Sequence, residues 1–329
     1  MKKPNIVVIG GGTGTFVTLS GLKKYPVDLS AIVTMMDDGG SSGKLRDQLG
    51  VLPPGDLRQC LVALSDASDV WRKLFTYRFE SGDLDGHNFG NILLSALEKV
   101  SDNYQDALDE AHRVMDVQGR VIPVTYNTAT IHVEYESGRM LVGEKLLDEN
   151  SADGSTIKNA FLQPSAQITD DAAEAIANAD YIIAGPGDLY SSIIAVALVD
   201  GVKDAIKQSK AQIVYIMNLM TKSSQTPSYT ACQHVADLSK YFGRDPNFVV
   251  VNTGNISEDL IKLYAESNDV PVYDDLDSCI KENVIRADII SDVAHSAKSG
   301  KHAQTLAHSI VRHDSDKLAN IIMESILRV

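Results

Sequence analysis

Cysteine is scarce: 329 residues carry three, and none of them sits in a Cys-x-x-Cys pair. Cys60, Cys232 and Cys279 therefore suggest neither a zinc ribbon nor a disulfide framework. Their odd number fits a reducing cytosol, with each acting as a small apolar residue. Long apolar runs are missing too. Ile6–Ile9 is too short for a signal peptide, and the longest later run, Ile193–Val199, ends at Asp200, far below membrane-spanning length. A cytoplasmic protein with no membrane contact is expected. Positive charge is in deficit: 30 Lys and Arg stand against 44 Asp and Glu, a net charge of −14. A surface that acidic repels nucleic acid and anionic lipid. An anionic small ligand then needs local donors that override the global field. Internal repeats, low-complexity tracts and Pro/Ser-rich linkers are absent.

What remains is an ordinary globular composition, 44% hydrophobic and 22% charged. Asn5–Ile9 reads as a buried parallel strand ending in glycine, Thr15–Lys24 as a helix, and Leu29–Thr34 as a second strand. That βαβ spacing is the repeat of doubly wound folds. Helices follow: one opened by Pro54 and Gly55, one capped by Asp69 and carrying Val70, Leu74 and Phe75, then Asn88–Val100 and Asp106–Met115. After Gly119, Val121–Val124, Thr128–Glu134 and Met140–Val142 look like strands, with a turn at Ser137-Gly138 and a polar loop over Asn150–Ser155. This stretch, around 119–165, reads as an antiparallel insertion within one 1–329 domain. The α/β alternation resumes with a helix at Asp170–Ala179 and strands at Tyr181–Ala184, Gln212–Met217 and Phe248–Val251. Further helices are read around Thr230–Lys240, Glu258–Glu266 and Asp316–Leu327.

The glycines mark the chemistry. Gly10-Gly11-Gly12-Thr13-Gly14-Thr15 follows the first strand and opens a helix. Glycine lets backbone approach an anion, and the first helical N–H groups with the helix dipole favour a phosphate. Thr15 stands where the third glycine of G-x-G-x-x-G would fall, which weakens an NAD(P)-dependent oxidoreductase reading. Asp37-Asp38-Gly39-Gly40-Ser41-Ser42-Gly43 follows the second strand. Its paired carboxylates suit a ribose, a substrate hydroxyl or a metal such as Mg2+, and Gly39, Ser41 and Ser42 add donors. Arg58 lies in the first turn of its helix against the dipole preference, which points to an anionic partner. A histidine can serve as a general acid or base, and His87 opens a helix with Asn88 and Asn91, two side chains suited to a base or sugar. Asp37, Asp38 and His87 are the candidate catalytic residues. A second strand–turn–helix anion site runs through Gly185, Gly187, Asp188, Tyr190 and Ser191, and Asn218 and Thr221 follow another strand at the same sheet edge.

Together these segments resemble a known family. The carriers are Ile9–Gly14, Thr34–Gly43, Pro54–Arg58, His87–Asn91, Gly119–Pro123, Gly185–Ser192 and Asn218–Thr221. The chain resembles the bacterial gluconeogenesis factors (YvcK-like), within the superfamily of 2-phospho-L-lactate transferase (CofD-like). The resemblance implies a three-layer Rossmann-like α/β fold with a mainly parallel sheet. It implies a regulator of carbon metabolism and cell shape that binds a UDP-sugar such as UDP-N-acetylglucosamine. The alternative is a transferase moving a phosphoryl-linked group from a nucleotide-activated donor. The Asp-Asp-Gly-Gly-Ser-Ser form of the 37–43 segment departs from that transferase branch. Asp188, where a serine is usual, adds a negative charge beside the presumed anion site. A homo-oligomer is the expected assembly.

Overall fold

The computed structural model describes residues 3–149, 154–291 and 310–327. Most of the polar stretch read as a loop at 150–155 falls outside these. Among the described residues the chain builds a seven-stranded sheet and a three-stranded sheet.

The strands of the large sheet are β1 (Asn5–Gly10), β2 (Asp28–Val33), β3 (Arg120–Pro123), β7 (Tyr181–Ala184), β8 (Gln212–Ile216), β9 (Phe248–Asn252) and β10 (Val284–Ala287). Their order is β10-β9-β8-β7-β1-β2-β3, and every pairing is parallel. The small antiparallel sheet has the order β5-β4-β6, from β4 (Thr130–Tyr135), β5 (Met140–Val142) and β6 (Ile157–Gln163). Arg120–Pro123 thus pairs with β2 as an edge strand of the large sheet, and the antiparallel unit begins only at β4.

Side chains of the central strands sort by a period of two. Val7, Ile9 and Ile32 enter one core, with the small sheet's Ile131, Val133 and Tyr135. Ile6, Val8, Ala31 and Val33 enter the other. The second face is covered by α1 (Gly12–Leu22), α3 (Gly55–Leu64), α4 (Asp69–Thr76), α5 (Phe89–Val100), α6 (Tyr104–Val114) and α13 (Ser315–Ile321). The first face is covered by α8 (Asp170–Asn178), the π-helical turn Leu189–Ile194 with its continuation α9 (Ala195–Ala197), α10 (Val202–Gln208) and α11 (Ala231–Phe242). The remaining helices are α2 (Gly40–Leu49), α7 (Glu144–Glu149) and α12 (Glu258–Ala265). A parallel sheet with helices on both faces is the Rossmann-like α/β arrangement.

Helix α4 buries Phe75, while Val70 is 66% exposed. An apolar stripe establishes a helix face but not what covers it. The glycine-serine stretch after β2 is helical. It is the first turn of α2, where Ser41 and Ser42 are buried. Cys232 and Cys279 are not separate small apolar residues: they form a disulfide across a sequence separation of 47. Their partnership depends on the tertiary contact between the start of α11 and the 273–279 segment, which also carries the Thr230–Tyr273 bridge. Only Cys60 is the buried thiol expected of all three.

Two predictions follow from this packing. A thiol reagent added to denatured protein should find one reactive cysteine without reductant and three after reduction; three in both cases would refute the bridge. A Cβ at Gly14 would overlap the carbonyl of Pro186. Gly14→Ala should therefore cost about 1–3 kcal/mol in urea denaturation, the usual cost of overpacking. An unchanged midpoint would show that the β1 and β7 turns do not abut.

Candidate functional site

From β1 the chain moves through β2 to β3 on one side, then returns to place β7 to β10 on the other. The reversal lies between β1 and β7, where doubly wound sheets bind ligands beyond the strands' C-terminal ends. Gly14 packs directly on the Pro186 carbonyl, so the two glycine turns form one wall. A cleft of about 420 Å³ opens there. That size suits a small organic ligand. Of the residues singled out in the sequence, Gly11, Gly12, Thr13, Gly14, Asp37, Gly187, Asp188, Asn218 and Thr221 line it. The Asn218 Oδ1 is buried there without a hydrogen-bond partner.

The others lie around the cleft rather than in its wall. Thr15 turns its hydroxyl back onto the Gly11 carbonyl at 3.1 Å. Asp38 accepts from the Lys145 N–H of α7 at 2.6 Å. Arg58 donates to the Asn91 side chain at 2.8 Å and to the Phe75 carbonyl at 3.3 Å. Its anionic partner is therefore a set of neutral oxygens, and burial followed by the Arg78 charge pulls its pKa down to about 10. His87 Nδ1 lies 3.3 Å from Ser41 Oγ, which also accepts from the Asn88 N–H at 3.2 Å. Asn88 caps α5 through the Asn91 N–H, and the Asn91 amide reaches Ser42 Oγ at 3.4 Å. These side chains tie the start of α5 to the start of α2. Tyr190 is buried, with its hydroxyl on Asp237 at 2.6 Å.

The cleft also holds Asp56 and Arg312, and four residues the sequence did not single out for it: Glu144, Asp148, Lys222 and Tyr264. Asp56 accepts from the Gly12 N–H at 2.9 Å, placing a carboxylate on the first turn of α1. Burial, then the charge of Asp37, raises its pKa to about 7. Burial also raises Asp37, against hydrogen bonds from Ser42 and the Gly39 N–H. Glu144 is raised well above the usual carboxylate range by burial and then by Asp37 and Asp56. These three acids cannot all ionise cheaply side by side, so each holds its proton to a higher pH than an isolated carboxylate would. A legible signal existed for two of the missed residues. Glu144 and Asp148 are four apart, the spacing that puts two carboxylates on one helix face.

Lys222 is the counterweight. It pairs with Asp188 and, at 2.7 Å, with Asp148. Burial lowers its pKa, but the two carboxylates outweigh burial and keep it charged. Lys222 thereby offsets one of the two charges carried by Asp148 and Asp188. Among the described residues no three His, Cys, Asp or Glu side chains converge as metal ligands.

The acid cluster makes a pH prediction. The folded pKa of Asp56 lies above its ordinary value, so the native state holds the proton more tightly than the unfolded chain. Its stabilising contribution is complete below pH 3.8 and is lost as pH rises toward about 7. Urea denaturation should show Asp56→Asn gaining on wild type across that window and keeping the gain at pH 8. Parallel pH profiles for the two proteins would exclude a buried, proton-sharing Asp56.

Comparison with known proteins agrees with this architecture. Residues 6–290 match the family model described as 2-phospho-L-lactate transferase CofD. The chain is 37% identical to the gluconeogenesis factor of Bacillus subtilis (strain 168), over 98% of each protein. It is 38% identical to that of Halalkalibacterium halodurans, over 98% of this chain and 97% of the relative. A crystal structure of a upf0052-family protein from Bacillus halodurans superimposes with a TM-score of 0.88 at 36% identity, covering 98% of this chain and 99% of that one. Among the described residues no helix is long and apolar enough to cross a membrane. With its parallel sheet, its switch-point cleft and this similarity along nearly its whole length, the chain belongs to the CofD-like family, in the gluconeogenesis-factor branch.

Proposed function

We propose that this protein is a cytoplasmic regulator that binds a nucleotide-sugar of the UDP-N-acetylglucosamine class and acts in carbon metabolism and cell shape. The observation that carries this reading is the abutment of the two glycine turns in a single cleft. The start of α1 offers close backbone approach for a diphosphate. The opposite wall, with the Asn218 amide, Thr221 and Tyr264, offers polar and aromatic contacts for a sugar or base. Lys222 and Arg312 line the cleft as local cationic donors, which an acidic protein needs to hold an anion. The proton-sharing acids beside α1 keep the cleft less negative than its carboxylates would suggest.

One observation favours a transferase acting on a nucleotide-activated donor. Burial raises the pKa of Asp37, Asp56 and Glu144 next to the proposed phosphate position, the direction a general acid or base needs. In that reading Asp37 exchanges a proton with an acceptor hydroxyl. Asp38 and His87 then act as positioning residues, because their side chains are engaged by α7 and Ser41.

Isothermal titration separates the two. UDP-N-acetylglucosamine should bind selectively over GDP and NAD. Thr13→Asp places a carboxylate in the cleft wall and should weaken binding at least tenfold without changing the melting temperature. Preference for GDP, or turnover of the UDP-sugar, would move the assignment to the transferase.

A further inference from the structure

Asp148 holds the position of a bound anion. Its Oδ1 accepts from Lys222 Nζ at 2.7 Å, Gln225 Nε2 at 3.0 Å and Ser191 Oγ at 3.3 Å. Three donors on one carboxylate oxygen is the arrangement a protein offers a phosphate or carboxylate ligand. Two of the donors are fixed. Gln225 and Ser191 are 0% and 1% exposed. The Gln225 Oε1 accepts from the Tyr190 and Ser191 N–H groups at 3.0 and 3.2 Å, which turns its Nε2 toward Asp148.

The acceptor is far less fixed. The Asp148 side chain is 37% exposed and sits on the six-residue α7, whose buried residue is Leu147. The donors follow β7 and β8 of the large sheet, while Asp148 comes from the antiparallel unit. Asp148 also competes with Asp188 for the single charge of Lys222. Two carboxylates on one ammonium leave a net negative charge, and replacing Asp148 with a ligand oxygen separates that pair.

We propose that Ser191, Lys222 and Gln225 form an anion subsite for a phosphate or carboxylate group of the ligand, and that α7 is an autoinhibitory strap whose Asp148 fills this subsite until the ligand displaces it. The proposal rests on reading the cleft as a phosphate-binding site. It assigns Asp148 the opposite role from a ligand contact: its carboxylate lowers affinity by keeping most molecules closed. If nine-tenths are closed, the apparent affinity falls about tenfold.

Titration with inorganic pyrophosphate and, separately, with UDP-N-acetylglucosamine tests this on the full chain. Asp148→Ala should bind pyrophosphate about tenfold more tightly than wild type, from the fraction of closed molecules it releases. Asp148→Asn keeps the shape and removes the charge, and should gain in the same direction. Adding Lys222→Ala to Asp148→Ala should abolish the gain. Hydrogen exchange at 144–149 should speed up when pyrophosphate binds wild type. Equal or weaker pyrophosphate binding by Asp148→Asn, in a protein with wild-type melting, would overturn the proposal. So would slower exchange at 144–149 on binding. If pyrophosphate shows the gain but UDP-N-acetylglucosamine binds neither protein, the subsite stands and the nucleotide-sugar reading falls.

Discussion

The contact between Gly14 and the Pro186 carbonyl is the constraint on which the site depends. It exists because β1 lies between β2 and β7, so the turns leaving β1 and β7 emerge side by side. Any side chain at Gly14 would hold them apart. With the turns in contact, the first turn of α1 and the π-helical turn at Leu189 flank one opening. The β2 and β8 segments then close its ends with Asp37 and with the run from Asn218 to Lys222.

A second constraint is electrostatic. The cleft brings six carboxylates, Asp37, Asp56, Glu144, Asp148, Asp188 and Asp269, around positions suited to an anion. Isolated charges there would cost several kcal/mol each. The protein reduces that cost in two ways. Near α1 the acids are buried deeply enough to retain protons, and Asp56 receives the Gly12 N–H. Near the Leu189 turn they are paired with Lys222. In both places the protein's own carboxylate takes hydrogen bonds that a ligand oxygen could take. The first is held on α3 and is only 8% exposed; the second is on the short α7. The two ends of the cleft therefore differ in how readily they can be vacated.

Much of this was legible in the sequence. Short apolar runs located β1, β2 and β7, the first and last ending in glycine, because a strand buried on both faces must be apolar throughout. The glycine turns were recognisable because few other residues allow such close backbone approach. The cap at Asn88 was not legible, because a polar side chain opening a helix can equally face a ligand. Short or weakly patterned elements were not legible. Helix α2 is rich in glycine and serine, and α7 is six residues long, so neither carries a strong apolar period.

The sequence by itself determined the parallel α/β sheet and the two anion turns, since both depend on local pattern: period, glycine and chain direction. It also indicated that the Asp37 segment follows β2 at the sheet's C-terminal edge. Only the tertiary structure decided which side chains meet there. It turned Arg58, His87, Asn88 and Asn91 toward a supporting cluster and brought in Asp56, Glu144, Asp148 and Lys222. It joined Cys232 to Cys279 and set Asp148 against Gln225 across a separation of 77 residues. Such contacts depend on how distant elements pack, and no local periodicity encodes the distance between two side chains on different elements.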